Sequence, residues 1–338
     1  MKHFIIVVHA RRESFLLINI LSVSISMKQL GELKIFFGSS NPAFGKNVCK
    51  QLNIEEGKIE IKKFASGETY VRFLENIRAK DVFLIQTAVE PINDNLMELL
   101  IMVDAAKRAS AGRIVIIMPF FFYARQDRKA ASREPISAKL VSDLLERAGA
   151  DRVLTLEVHS DQIQGFFGIP FDNLAPKKIF IQKAKELCEG GCVIVAPDAG
   201  AAKKSTKISK TLDAGLAIIN KVRTNHNEAS ANNIIGDSVT GKTCLIFDDI
   251  VDTGGSLCEA ANLVKAEGGK KIYAFITHGL FNGNAIEKIE KSEIDTIFTT
   301  DTVPQNQKCS KIEVISVADY FAEVIKVIHE NESVSALF

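Results

Sequence analysis

Net charge is almost missing from this chain: 42 Lys and Arg stand against 41 Asp and Glu over 338 residues, leaving +1. Such a balance gives no general case for nucleic acid or an anionic membrane as partner, although local basic sites remain open. Long apolar runs are missing too. A bilayer-crossing helix needs about 20 apolar residues, and the one candidate, residues 1–26 (MKHFIIVVHARRESFLLINILSVSIS), is broken by His9-Ala10-Arg11-Arg12-Glu13. The break also spoils a secretory signal, which has one apolar core and a small-residue cleavage site. An amphipathic targeting peptide stays open. The favoured expectation is an upstream start codon with Met27 as the working start, because regular patterning begins only at Leu33. Cysteine is scarce as well: six residues, with no CxxC pair. Cys188 and Cys192 lie four apart without a second ligand pair nearby, so a zinc site is not expected. Free thiols in a reducing cytosol, and hence a cytoplasmic chain, are the expectation.

What is present is ordinary for a soluble globular protein, with 46% hydrophobic and 25% charged residues. A chain of 338 residues exceeds most single cores and suggests two domains. From Leu33 onward, short apolar runs alternate with amphipathic ones. Strands are expected at Lys34–Phe37, Ile59–Phe64, Val82–Gln86, Arg113–Met118, Val153–Glu157, Val193–Ala196, Gly215–Ile219, Thr243–Phe247, Lys271–Thr277 and Thr296–Thr299. Helical spacing marks Leu96–Ser110, Ala138–Ala148, Lys177–Cys188, Ser256–Glu267 and Val317–His329. Strands alternating with helices of that length argue for an α/β fold of parallel sheets with right-handed crossovers. A boundary near Asn173–Pro176 gives an N-terminal extension (1–32) and two similar domains, 33–176 and 177–338, each a mostly parallel sheet flanked by helices. Thr224–Asn233 (TNHNEASANN) is polar and unpatterned and reads as a surface loop.

Two phosphate-binding readings compete near residue 245. Gly236-Asp237-Ser238-Val239-Thr240-Gly241-Lys242-Thr243 has P-loop spacing, but a P-loop runs strand, glycine turn, helix. Here the turn enters an apolar strand, so the order is wrong. The following stretch, Cys244-Leu245-Ile246-Phe247-Asp248-Asp249-Ile250-Val251-Asp252-Thr253-Gly254-Gly255-Ser256-Leu257, has the right order. A strand ends in carboxylates, a glycine loop follows, and Ser256 opens an amphipathic helix. Thr253, Gly254, Gly255 and Ser256 can surround a phosphate monoester with N–H groups and hydroxyls. Asp248, Asp249 and Asp252 can accept hydrogen bonds from vicinal sugar hydroxyls or hold a hydrated divalent cation. A ribose 5-phosphate group fits these parts.

That stretch resembles the phosphoribosyl-binding motif shared by type I phosphoribosyltransferases and the ribose-phosphate diphosphokinases (phosphoribosyl pyrophosphate synthetases). The remainder separates the two. Phe122-Tyr123-Ala124-Arg125-Gln126-Asp127-Arg128, Pro135-Ile136-Ser137-Ala138-Lys139-Leu140, Asn93-Asp94-Asn95-Leu96-Met97-Glu98 and Gln162-Ile163-Gln164-Gly165-Phe166-Phe167 resemble the synthetases. So do Pro197-Asp198-Ala199-Gly200 and Ser333-Val334-Ser335, and the likeness runs from about Lys34 to Phe338.

The resemblance implies transfer of the β,γ-diphosphate of ATP to the C1 hydroxyl of ribose 5-phosphate, giving phosphoribosyl pyrophosphate and AMP for nucleotide biosynthesis, with Mg²⁺ as cofactor. ATP would meet Phe64, Ser66 and Glu68 on the adenine side, and Arg125, Gln126, Asp127 and His159. Ribose 5-phosphate would meet Asp198, Asp248, Asp249, Asp252, Thr253, Gly254, Gly255 and Ser256. His159, Asp198, Asp172 and Glu157 would hold the metal. Lys221 and Arg223, at the start of the polar loop, would be catalytic cations arriving over the triphosphate on closure. A homo-oligomer, of hexameric type, responsive to phosphate and ADP is also implied, with Ser160, Ser333 and Ser335 in the matching segments. Two departures stand out: the family often has aspartate at Glu157 and at Gly168. Read without the resemblance, Asp198 serves equally as a helix cap, Lys221 and Arg223 as a solvated basic edge, and Arg125 as part of a surface ion pair. A phosphoribosyltransferase and a non-catalytic regulatory paralogue remain alternatives.

Overall fold

The computed structural model describes residues 31–221 and 232–337. In chain order the elements are β1 (Leu33–Phe37), α1 (Pro42–Leu52), β2 (Ile59–Lys63), β3 (Thr69–Phe73), β4 (Asp81–Ile85), α2 (Ile92–Arg108), β5 (Arg113–Met118), α3 (Ser137–Ala148), β6 (Arg152–Leu156), β7 (Phe171–Leu174) and α4 (Lys177–Leu187). Then come β8 (Cys192–Ala196), α5 (Ala202–Leu212), β9 (Gly215–Lys221), β10 (Asn232–Gly236), β11 (Thr243–Val251), α6 (Gly255–Ala266), β12 (Lys271–Gly279), α7 (Ala285–Lys291), β13 (Thr296–Thr300), β14 (Ile312–Ile315) and α8 (Ala318–His329).

The first sheet has strand order β1-β4-β5-β6-β7, all parallel, and the second β10-β9-β8-β11-β12-β13-β14. Only β9 and β10 run antiparallel within the second. β2 and β3 form a separate hairpin. Asp-Val-Phe-Leu-Ile of β4 is buried at every position, as expected for a parallel strand covered on both faces. On one face lie Leu99, Met102 and Val103 of α2 with Val141 and Leu145 of α3, against Val82, Leu84, Ile114 and Ile116. On the other face, Phe44 and Val48 of α1 meet Phe321, Val324, Ile325 and Ile328 of α8. The last helix of the chain therefore returns to the first sheet, a crossing that the boundary at 176 does not anticipate. A fully buried Asp81 fixes the end of α8: Arg113 donates to both its oxygens (2.8 and 2.6 Å), and His329 Nδ1 lies 2.7 Å away.

Several expectations change. The strand expected to stop at Phe247 continues through Val251 and pairs with β12, so Asp248 and Asp249 lie on the strand itself. Asn232 and Asn233, expected in a loop, belong to β10 and pair with Lys221 and Asn220. Strands β3, β7 and β14 are short and half-exposed, which left too little apolar patterning to mark them. Cys188 and Cys192, expected as free thiols, are joined in a disulfide. Gly190 and Gly191 between them both take positive φ (95° and 97°), turning the chain back so that the two Cα atoms come within 5.0 Å. Gly241 is the turn into a strand that its sequence context implied, with φ 69°.

Phe321 is fully buried and meets the Phe44 ring edge-on at 5.4 Å. Phe321→Ala is expected to cost about 3–5 kcal/mol in urea unfolding. A loss below about 1 kcal/mol, the size typical of exposed sites, would place α8 outside the first core.

Candidate active site

The carboxyl ends of the two sheets face each other across a buried polar seam. Thr87 Oγ1 donates to Thr302 O (2.8 Å) and Asn41 Nδ2 to Asp301 O (3.0 Å). His278 at the end of β12 is fully buried. Its Nε2–H donates to Leu156 O (2.9 Å), and its Nδ1 accepts from the Thr302 hydroxyl (2.9 Å). Burial lowers its pKa, so the ring is neutral in this bonding pattern. Phe120, from the loop after β5, lies over the ring with centroids 4.6 Å apart. Strand ends of an open α/β sheet are where ligands bind, because backbone groups there are not used by the ladder.

The segment after β11 keeps the glycine turn and the amphipathic helix expected of it, although the strand before them runs longer than expected. Gly254 takes φ 71° as the N-cap of α6, a conformation that costs other residues dearly. No side chain caps this helix. Its first N–H groups have no partner inside the helix and are left to an anion. Thr253 and Ser256 are exposed on either side of the turn. Asp252 accepts from Asn282 Nδ2 (2.9 Å) and from Arg125 of the first domain (2.7 Å). Arg125 thus reaches the loop before α6, joining residues expected on the ATP side to residues expected on the sugar side.

Asp248 and Asp249 are half-buried, and Asp248 accepts from the Asp249 N–H (2.9 Å). Successive side chains diverge along a strand, and it is Asp249 that pairs with His159 Nδ1, 2.6 Å away. Burial, reinforced by the neighbouring Asp249 charge, raises the Asp248 pKa. Burial acts the same way on Asp249, but His159, Asp248 and Lys204 outweigh it and hold that carboxyl below its ordinary range. The Asp249 hydrogen bond in turn raises His159, against the opposing effect of burial. Asp127, nine-tenths buried, adds to that effect from the Arg125 loop.

The expected metal set does not assemble. Among the described residues no three His, Cys, Asp or Glu side chains are placed to hold an ion. Asp172 is engaged through both oxygens by Arg152 (2.5 and 2.9 Å). Glu157 is bound by Lys204 Nζ (2.5 Å) and by the Thr277 hydroxyl. Both carboxylates are paired with a cation, as Asp249 is with His159. Asp198 is exposed and accepts from Ala201 N (3.0 Å), so it does cap the turn before α5. Its carboxylate and those of Asp248 and Asp249 are oxygen donors of the kind Mg²⁺ takes one or two at a time, when waters and phosphates supply the rest. At Gly168 the backbone N–H donates to Glu146 Oε1 (2.6 Å), and an added Cβ would lie 3.1 Å from Glu146 Oε2.

Phe64, Ser66 and Glu68 sit in the exposed β2–β3 turn. Phe64 is 51% exposed, and Ser66 Oγ donates to Glu68 Oε2 (2.8 Å). Gln126 accepts from Ser137 Oγ (2.5 Å). Lys221 closes β9, with its side chain outside the described residues, as is Arg223 entirely. Lys204, Thr277 and His278 were missed by sequence reasoning. Lys204 gave one signal, a cation six residues past Asp198 in the turn after β8, but the two others are hidden in an apolar strand.

Residues 33–149 match the family described as the N-terminal domain of ribose phosphate pyrophosphokinase, and 223–338 the phosphoribosyl synthetase-associated domain. A ribose-phosphate pyrophosphokinase from Chromobacterium violaceum is 46% identical over 316 residues, covering 92% of this chain and 96% of the relative. One from Thermotoga maritima is 45% identical over 310 residues, covering 91% and 98%. The crystal structure of phosphoribosylpyrophosphate synthetase from Mycobacterium smegmatis superposes with a TM-score of 0.84 at 38% identity, covering 89% of this chain and 99% of that one. With two sheets meeting at their carboxyl ends and a glycine turn opening a helix on the second, the chain belongs to the ribose-phosphate pyrophosphokinase family of enzymes.

Proposed function

We propose that the protein transfers the β,γ-diphosphate of ATP to the C1 hydroxyl of ribose 5-phosphate, releasing AMP. The observation that carries this reading is the Arg125–Asp252 contact, which brings the segment matched to ATP against the pentose loop. The 5-phosphate binds the N–H groups at the start of α6, with Thr253 and Ser256 hydroxyls beside it. Asp248 and Asp249 accept from the vicinal sugar hydroxyls. The triphosphate lies toward Arg125 and His159, where a guanidinium offers paired donors to phosphate oxygens. Phe64 of the exposed hairpin stacks on the base.

Phosphoryl-type transfer asks chiefly for alignment and positive charge. Lys221 and Arg223 supply that charge over the triphosphate when both substrates are bound. Asp198, His159 and the Asp248–Asp249 pair would hold Mg²⁺ brought with ATP, and the ion would supply positive charge to the phosphates. The active unit is a homo-oligomer, with Ser333, Ser335 and Ser160 in its phosphate- and ADP-responsive segments.

AMP release in the presence of ATP, ribose 5-phosphate and Mg²⁺ tests this reaction, against a parallel assay with a nucleobase and phosphoribosyl pyrophosphate. AMP formed only when the pentose is added supports it; activity confined to the nucleobase assay would make the protein a phosphoribosyltransferase. Lys221→Ala is expected to lower turnover by about 10²–10³-fold with ATP affinity little changed. Unchanged turnover would remove Lys221 from the chemistry. Because burial raises the Asp248 pKa, this carboxylate takes up a proton first as pH falls. Ribose 5-phosphate affinity is therefore expected to fall on the acid side well above about pH 4, where an unperturbed aspartate titrates. Asp248→Asn is expected to abolish that acid limb, and a limb that persists in the variant would assign it elsewhere.

A further inference from the structure

The Glu157–Lys204 pair is not used by the reaction as described, yet the geometry around it is unusual. The segment Leu156-Glu157-Val158-His159 leaves the carboxyl end of β6 in the first domain. Glu157 has φ 44°, a left-handed conformation that non-glycine residues adopt at a steric cost. Such a residue persists only where its surroundings over-determine it. Here the Glu157 N–H donates to Leu174 O (2.9 Å), and its carbonyl accepts from His278 Nε2 (3.2 Å). One carboxylate oxygen takes Lys204 Nζ of α5 (2.5 Å), the other the Thr277 hydroxyl of β12. Both of those groups belong to the second domain. Two residues on, His159 reaches back to Asp249 of β11, again in the second domain.

We propose that Lys204 and Glu157 form a positioning clamp between the domains, which holds the left-handed turn at residue 157 and thereby aims His159 at Asp249 and the reacting phosphates. The Glu157 side chain is 14% exposed and lies in a quarter that also contains Asp248 and Asp249. Lys204, itself half-buried, is the ammonium that lets a third carboxylate stand there; removing it leaves the largely buried Glu157 carboxylate uncompensated. Lost compensation would push the Glu157 carboxylate toward water, release the turn and swing His159 off Asp249. As far as catalysis is concerned, this inference rests on the reaction proposed above.

The test compares wild type, Lys204→Met, Lys204→Arg, Glu157→Gly and the Lys204→Met/Glu157→Gly double variant, all as full chains. Glycine tolerates the positive φ and removes the carboxylate, so this variant keeps the backbone of the turn, and the Lys204 ammonium is left with the more distant Asp248 and Asp249 charges. Lys204→Met is expected to lower kcat about 10–100-fold, the scale of a misplacement near 1 Å, while KM for ATP moves by less than about threefold. Lys204→Arg restores most of the loss, and the double variant loses no more than the larger single loss, because both act on one contact. A kcat for Lys204→Met equal to wild type, no rescue by arginine, or independent losses that multiply would each overturn the clamp.

A wild-type protein that forms no AMP would count against the reaction. The clamp is then decided by the His159 ring signals in NMR, assigned with His159→Gln. Signals moved by Lys204→Met and left in place by Lys204→Arg support it; signals unmoved in both overturn it.

Discussion

The seam between the two sheets governs this molecule. Parallel sheets end in backbone groups that the ladder does not use, and here two such ends are brought face to face. A neutral, fully buried His278 ties them, bonded to the first domain at Leu156 and to the second at Thr302. Burying polar groups in such a seam costs free energy unless each finds a partner, so the seam fixes a single relative placement of the domains. Every candidate substrate contact depends on that placement. Arg125 reaches Asp252 and His159 reaches Asp249 only because the strand ends meet.

Backbone strain is also found at the strand ends beside the seam. Tyr123, Glu157 and Phe281 follow β5, β6 and β12, and each takes a positive φ unusual for its residue type. These turns redirect the chain from the sheets into the cleft. The contacts around Glu157 show how such a turn is held: backbone bonds on one side, a cation and a hydroxyl on the other.

Much of this was legible in the sequence. Apolar runs such as Val82–Gln86 and Arg113–Met118 read as strands of a parallel sheet, which they are, and the carboxylate-glycine stretch after Phe247 marked the glycine turn and the helix that follow β11. Its order also disposed of the P-loop alternative at Gly241. What was hidden has physical reasons. The return of α8 to the first sheet is a long-range packing choice that helical periodicity does not encode. The Cys188–Cys192 bond depends on two glycines with positive φ, not on cysteine spacing. The carboxylates at 157 and 172 had the right chemistry for a metal, but Lys204 and Arg152 claim them, and those partners lie 47 and 20 positions away in sequence. Thr277 and His278 sit within an apolar strand that marks them as core.

A crystal structure with ribose 5-phosphate, Mg²⁺ and a nonhydrolysable ATP analogue tests the account most directly. The account predicts the sugar phosphate on the backbone N–H groups of residues 254–257, the C1 hydroxyl facing the β-phosphate, and the analogue's phosphates beside Arg125 and His159. A pentose phosphate seated away from the start of α6, or a nucleotide outside the seam, would contradict it.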